Sequence, residues 1–108
     1  MPELKDNATL HDYQTYVAEL ESERGFATQN LRDKCLLLGE EVGELFKAVR
    51  KSEGLAIDTQ SEFTEVQDEL ADIFIYLCAI ANRLDINLED AFLDKEVKNK
   101  QRRWTLPE

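Results

Sequence analysis

Apolar residues return along four stretches of this chain at three- and four-residue steps, which marks helical rather than strand periodicity. The first runs from about residue 10 to 23, with Tyr13, Tyr16, Val17 and Leu20 on one face; Thr9 and Asp12 resemble a capping pair and Gly25 closes it. The second runs from about 29 to 51, with Leu31, Leu38, Val42, Leu45 and Val49 as its apolar stripe. Lys47, Arg50 and Lys51 crowd its last turns, where cations meet the negative end of the helix dipole. Gly54 and the polar residues 58–61 make the longest connection. A third helix, from about 62 to 84, carries Phe63, Val66, Leu70, Ile73, Leu77, Ile80 and Leu84. Asn87, followed by Asp90, caps a fourth from about 88 to 103. The expected fold is all-α, an antiparallel four-helix bundle-like protomer forming a single domain over residues 1–108.

Residues 70–81, LADIFIYLCAIA, are apolar on nearly every side of the third helix, and a helix apolar all round needs neighbours all round. The expectation is a homodimer or homotetramer with this helix near the interface. The same stretch is well short of the roughly 20 residues of a membrane span, and the first residues lack the apolar core of a secretory signal. Both features point to a cytoplasmic protein. Cys35 and Cys78 lie inside apolar helical patterns and read as buried thiols.

Charge narrows the function. Among 108 residues, 13 Lys and Arg stand against 23 Asp and Glu, a net charge of −10. A general electrostatic grip on a nucleic acid polymer or an anionic membrane is therefore not expected. Part of the acid excess is patterned. Glu40, Glu41 and Glu44 lie within GEEVGEL on the second helix, and Glu69 and Asp72 lie within DELADI on the third. Residues three apart share a side of a helix, so Glu41 with Glu44, and Glu69 with Asp72, form two pairs that antiparallel packing could bring to one spot. Asp72, between Leu70, Ala71, Ile73 and Phe74, reads as a carboxylate set beside the core, which needs compensation. Clustered carboxylates without His or Cys suit a hard cation, Mg²⁺ or in its place Mn²⁺, better than zinc.

These residues bring a family into view. EEVGEL at residues 40–45, DELADIFIYLCAIANRLDINLEDAF at 68–92 and KEVKNKQRRW at 95–104 resemble the MazG-like nucleotide pyrophosphohydrolases of the all-α NTP pyrophosphatase superfamily. The resemblance implies Mg²⁺-dependent cleavage of a nucleoside triphosphate between its α and β phosphates, giving monophosphate and pyrophosphate in nucleotide-pool house-cleaning. Carried over residue by residue, it makes Glu41, Glu44, Glu69 and Asp72 metal ligands, and Lys98, Asn99 and Arg102 phosphate or sugar contacts. Glu40 or Glu41 is the expected group that orients or deprotonates the attacking water. Many relatives carry Lys where Leu37 stands here, which leaves Lys34 or the fourth helix to supply a phosphate contact.

Residues 95–103 hold five basic side chains and one acid, a local +4 that leaves −14 on the rest of the chain. This basic segment is expected to fold over the substrate's phosphates. For the base, Phe26 is preferred over Tyr13, His11 and Trp104 as the stacking residue. A second reading of the same residues is a non-catalytic helical dimer acting as a metal-dependent nucleotide sensor or adaptor.

Overall fold

Capping decides where three of the four helices begin. In the computed structural model, which describes residues 1–107, α1 spans Leu10–Arg24. The Asp12 amide donates to Thr9 Oγ1 at 3.2 Å and the Thr9 amide donates back to the Asp12 carboxylate at 2.8 Å, which satisfies two otherwise orphaned N–H groups. Gly25 ends the helix at φ 79°, a left-handed conformation that a Cβ would disfavour. Helix α2, Leu31–Ser52, starts later than periodicity predicts because Asn30 and Asp33 form a second such box. Helix α3 is Val66–Arg83, shorter at its start than expected, and α4 is Leu88–Lys100, capped by Asn87, which accepts from the Asp90 amide at 3.1 Å. Arg102 and Trp104 therefore lie beyond α4 rather than on it, the guanidinium 5.9 Å from the indole ring centre.

Phe63, expected on the third helix, sits instead in the connection before it. Lys47 and Lys51 of α2 lie 4.9 and 5.7 Å from its ring centre, clipping that connection back onto α2. Helices α2 and α3 form the most extensive pair. They run antiparallel: Glu41 meets Glu69 and Asp72, whereas Lys34, earlier on α2, meets Tyr76, later on α3. Helix α1 covers a neighbouring face of α3, burying Val17 and Leu20 against Cys78 and Ala79. The buried Gln14 side chain holds the turn into α4 by donating to Asn82 Oδ1 and the Ile86 carbonyl and accepting from the Leu88 amide.

Two expectations change here. Cys78 is buried, and burial pushes its thiol up to about 11, but Cys35 is exposed because it lies on the outer face of α2. Helix α4 packs chiefly on α1 and does not complete a closed bundle over α2. The radius of gyration is accordingly 17.2 Å, against about 13 Å for a compact chain of this length. Leu70, Leu77, Leu84, Phe92 and Val97 stay exposed, although the helical pattern marks the first three as core positions. Among the described residues, no helix is long and apolar enough to cross a membrane.

Candidate active site

Antiparallel pairing of α2 and α3 brings Glu41, Glu69 and Asp72 together, with one carboxylate oxygen of each within 4.8 Å of the others. Their burial is graded. Glu69 is 4% exposed, Glu41 is half-buried and Asp72 is exposed, so the carboxylate set against the core is Glu69, not Asp72 as the sequence predicts. Helical spacing assigns both to one face, but the face turns Glu69 toward the connection before α3 and Asp72 toward solvent. Glu44, one turn beyond Glu41, is exposed and stays outside the three-carboxylate group, although its charge is felt at Glu41. Glu40 is exposed and also outside it.

The electrostatics record the crowding. A hydrogen bond with Glu69, then desolvation and the charges of Glu69, Asp72 and Glu44, push the Glu41 carboxyl up to about 7. Two carboxylates can hydrogen-bond only by sharing a proton, so the proton Glu41 retains is the counterpart of the lowered affinity at Glu69, which also accepts from Thr64 Oγ1. Asp72 is raised by partial desolvation and by the charges of Glu69 and Asp68. Apart from the proton shared between Glu41 and Glu69, the buried Glu69 Oε2 meets no protein donor. An orphaned buried oxygen among three acidic groups, with no basic side chain in the cluster, fits a hard divalent cation.

Beside the carboxylates opens a pocket of about 380 Å³, lined at one end by Glu41 and Asp72 and at the other by Glu21, Phe26, Gln29 and Lys34, with Tyr76 on its wall. Phe26, preferred from the sequence for the base, is thus a lining residue of this pocket. The other three candidates are not. Tyr13 packs edge-on against Phe74 with ring centres 6.0 Å apart, His11 lies 3.3 Å from the Asn87 amide, and Trp104 is exposed beyond α4.

Tyr76, Glu21 and Arg83 escape the sequence reading. Tyr76 hides in an apolar run, and its hydroxyl is raised by desolvation and by the charges of Glu41 and Asp72. Glu21 and Arg83 look like ordinary surface charges until folding pairs them. Burial alone would raise Glu21, but hydrogen bonds from Arg83 and Lys34 hold its carboxyl low.

The basic fourth helix does not reach this pocket. Asn99 lines instead an apolar groove of about 530 Å³ formed with Phe74, Leu77 and Ala81, and neither Lys98 nor Arg102 lines the carboxylate pocket. The groove and the pocket use opposite sides of α3, residues 74, 77, 81 and 84 against 72, 75, 76 and 79. A segment folded over its own protomer's phosphates is therefore not what the chain forms.

An all-helical fold with paired acidic motifs on adjacent helices defines a class. Residues 34–108 match the model of the MazG-like family, and the chain belongs to that family. Its fold superposes on crystal structures of iMazG from Vibrio DAT 722, with a TM-score of 0.67 and 33% identity, covering 85% of this chain and 94% of that one. Among curated relatives, dCTP pyrophosphatase 1 of Mus musculus is 33% identical over 99 residues, and that of Bos taurus 34% identical over 99 residues. Both matches cover 87% of this chain but only 58% and 59% of the relatives' own length.

Proposed function

We propose that this chain is a nucleoside triphosphate pyrophosphohydrolase, cleaving a (d)NTP between the α and β phosphates to a monophosphate and pyrophosphate, with Mg²⁺ as its metal and nucleotide-pool house-cleaning as its role. The observation that carries the reading is the convergence of Glu41, Glu69 and Asp72, with an orphaned Glu69 oxygen, at the mouth of a nucleotide-sized pocket. Family membership and the dCTP pyrophosphatase 1 relatives support it, and make dCTP the first substrate to try.

A triphosphate carries about four negative charges, so the carboxylates alone would repel it. Glu41, Glu69 and Asp72 would hold the cation, with Glu44, whose charge is felt at Glu41, one helical turn away. When bound, a divalent cation polarises the phosphoryl group, balances the leaving pyrophosphate and makes a bound water more acidic. Thr64 holds Glu69 in place through its hydroxyl. Glu41 gives up its shared proton to take part in binding. Glu40, outside the cluster, keeps a carboxylate free to accept a proton from the attacking water, so of the two expected groups it is the one we assign to that role. Phe26 supplies a ring face for the base.

The working unit is proposed to be a homodimer or homotetramer. The open shape and the exposed apolar strip on α3 support this, and in such an assembly Lys98, Asn99 and Arg102 can serve a neighbouring protomer's pocket.

The decisive experiment is a nucleotide panel with Mg²⁺ and product analysis. Monophosphate and pyrophosphate are the expected products; diphosphate and phosphate would overturn the reading. Asp72→Asn should abolish turnover while leaving the helical circular dichroism intact, and a fully active variant would remove the site assignment. Retained nucleotide binding without turnover in the wild type would favour the sensor reading instead.

A further inference from the structure

This end of the pocket is built on two buried charges, Glu21 and Lys34, and the half-buried Arg83, and the donors of the two cations are unevenly engaged. The Arg83 guanidinium has five N–H groups, and protein accepts from all of them. Nε donates to the Gln29 carbonyl at 2.8 Å; Nη1 donates to Glu21 Oε1 at 2.8 Å and to the Ala79 carbonyl at 2.9 Å; Nη2 donates to Glu21 Oε2 at 2.8 Å and to the Phe26 carbonyl at 3.1 Å. No donor remains for a ligand. Arg83 is a positioning residue that fixes Glu21 and the loop carrying Phe26.

Lys34 is different. It is 4% exposed, and its oxygen partner among the described residues is Glu21, 2.9 Å away. An ammonium has three N–H groups, so two remain. Nζ lies 5.2 Å from the Phe26 ring centre and 5.5 Å from that of Tyr76, and all three residues line the pocket. With the exposed Arg24, which also lines the pocket, three cations stand against one carboxylate and leave this end with a net charge of +2.

Position along α2 says which part of a nucleotide meets it. Lys34 precedes Glu41 by two helical turns, about 10 Å along the axis and on nearly the same face. With the phosphates at the carboxylates, the far end of the pocket receives the base.

We infer that Lys34 is a specificity-determining residue that donates to a carbonyl oxygen of the base, so that cytosine, thymine or uracil, and guanine are accepted and adenine is disfavoured. This rests on the nucleotide reading above. An ammonium only donates, and adenine alone among the common bases has no carbonyl to accept.

The test is steady-state kinetics with Mg²⁺ on dCTP, dTTP, dGTP and dATP, with inorganic tripolyphosphate as a competitive inhibitor. Lys34→Met leaves Glu21 in its Arg83 fork. It should lower kcat/KM for the best carbonyl-bearing substrate by about 10- to 100-fold, mainly through KM, and should move dATP by less than about threefold. Tripolyphosphate inhibition should hold. Lys34→Gln, which restores a neutral donor, should fall between and serves if the Met variant does not fold.

Equal losses on every nucleotide, or weakened tripolyphosphate inhibition, would make Lys34 a phosphate contact and overturn the inference. So would dATP as the best wild-type substrate, a result that leaves the pyrophosphohydrolase reading standing. Turnover of none of the four by the wild type would overturn that reading, and this inference with it.

Discussion

Glu41 is the side chain on which proton and metal act in opposition. Its carboxyl ionises at about 7 in the folded protein, against 4.5 for an ordinary glutamate. Between those values the native state keeps a proton that the unfolded chain has released, so this group's contribution is full below 4.5 and is lost as pH rises through about 7. The metal-free protein should therefore lose thermal stability across that window. Glu41→Gln, neutral throughout, should flatten the decline, and added Mg²⁺ should raise Tm most at the alkaline end. Differential scanning calorimetry with chelator and with Mg²⁺ checks both; an identical pH slope in the variant would show that Glu41 does not hold the proton. The residue types at the site were legible in the sequence, because ExxE and ExxD spacing sets which side of a helix a carboxylate occupies. Their depth was not. Glu69 is buried and Asp72 exposed because the connection before α3 covers one and leaves the other open.

At the scale of elements, that connection is what joins the fold to the site. Phe63, gripped by Lys47 and Lys51, brings the chain back along α2, and the next residue, Thr64, donates its hydroxyl to Glu69. A hydrogen bond that orients a metal-binding carboxylate typically changes metal affinity 10- to 100-fold when removed. Thr64→Val should weaken Mn²⁺ binding by about tenfold, read by the loss of the free-ion signal in electron paramagnetic resonance, with Thr64→Ser close to wild type. Equal affinity in the Val variant would make the hydroxyl incidental. Periodicity misplaced Thr64 because Phe63 falls in step with the α3 stripe, whereas the helix begins only at Val66. A stripe position can be filled from a loop, and the pattern alone does not distinguish the two. The Thr9 box and the Asn87 cap were readable, being made between residues three apart.

The whole molecule is open in a way a single chain of this size rarely is. Its extents are 47 × 41 × 31 Å, and α4 leaves an apolar groove along α3 rather than closing over it. Burial of apolar area contributes about 25 cal/mol per Å², so the exposed strip of Leu70, Leu77, Leu84 and Phe92 favours association. Light scattering at micromolar concentration should give at least twice the 12.5 kDa chain mass, and Leu77→Glu should move the mass toward one chain. A wild-type mass of one chain would overturn the proposed assembly and, with it, any role for Lys98, Asn99 and Arg102 at a neighbour's pocket. The sequence did signal an over-apolar third helix. It did not signal that α4 would lie on the side of α3 away from the carboxylates.

The sequence by itself determined the helices, most of their caps and the acidic faces, because hydrogen bonds and side-chain periodicity within a few residues are local. Tertiary structure decided which three of the five carboxylates converge, which of them is buried, and that Glu21, Lys34 and Arg83 meet beneath Phe26. Glu21 and Arg83 are 62 positions apart in the chain. Such pairings depend on the angle at which α1 and α2 cross α3, which is set by packing across the whole molecule and leaves no mark on the spacing within any one helix.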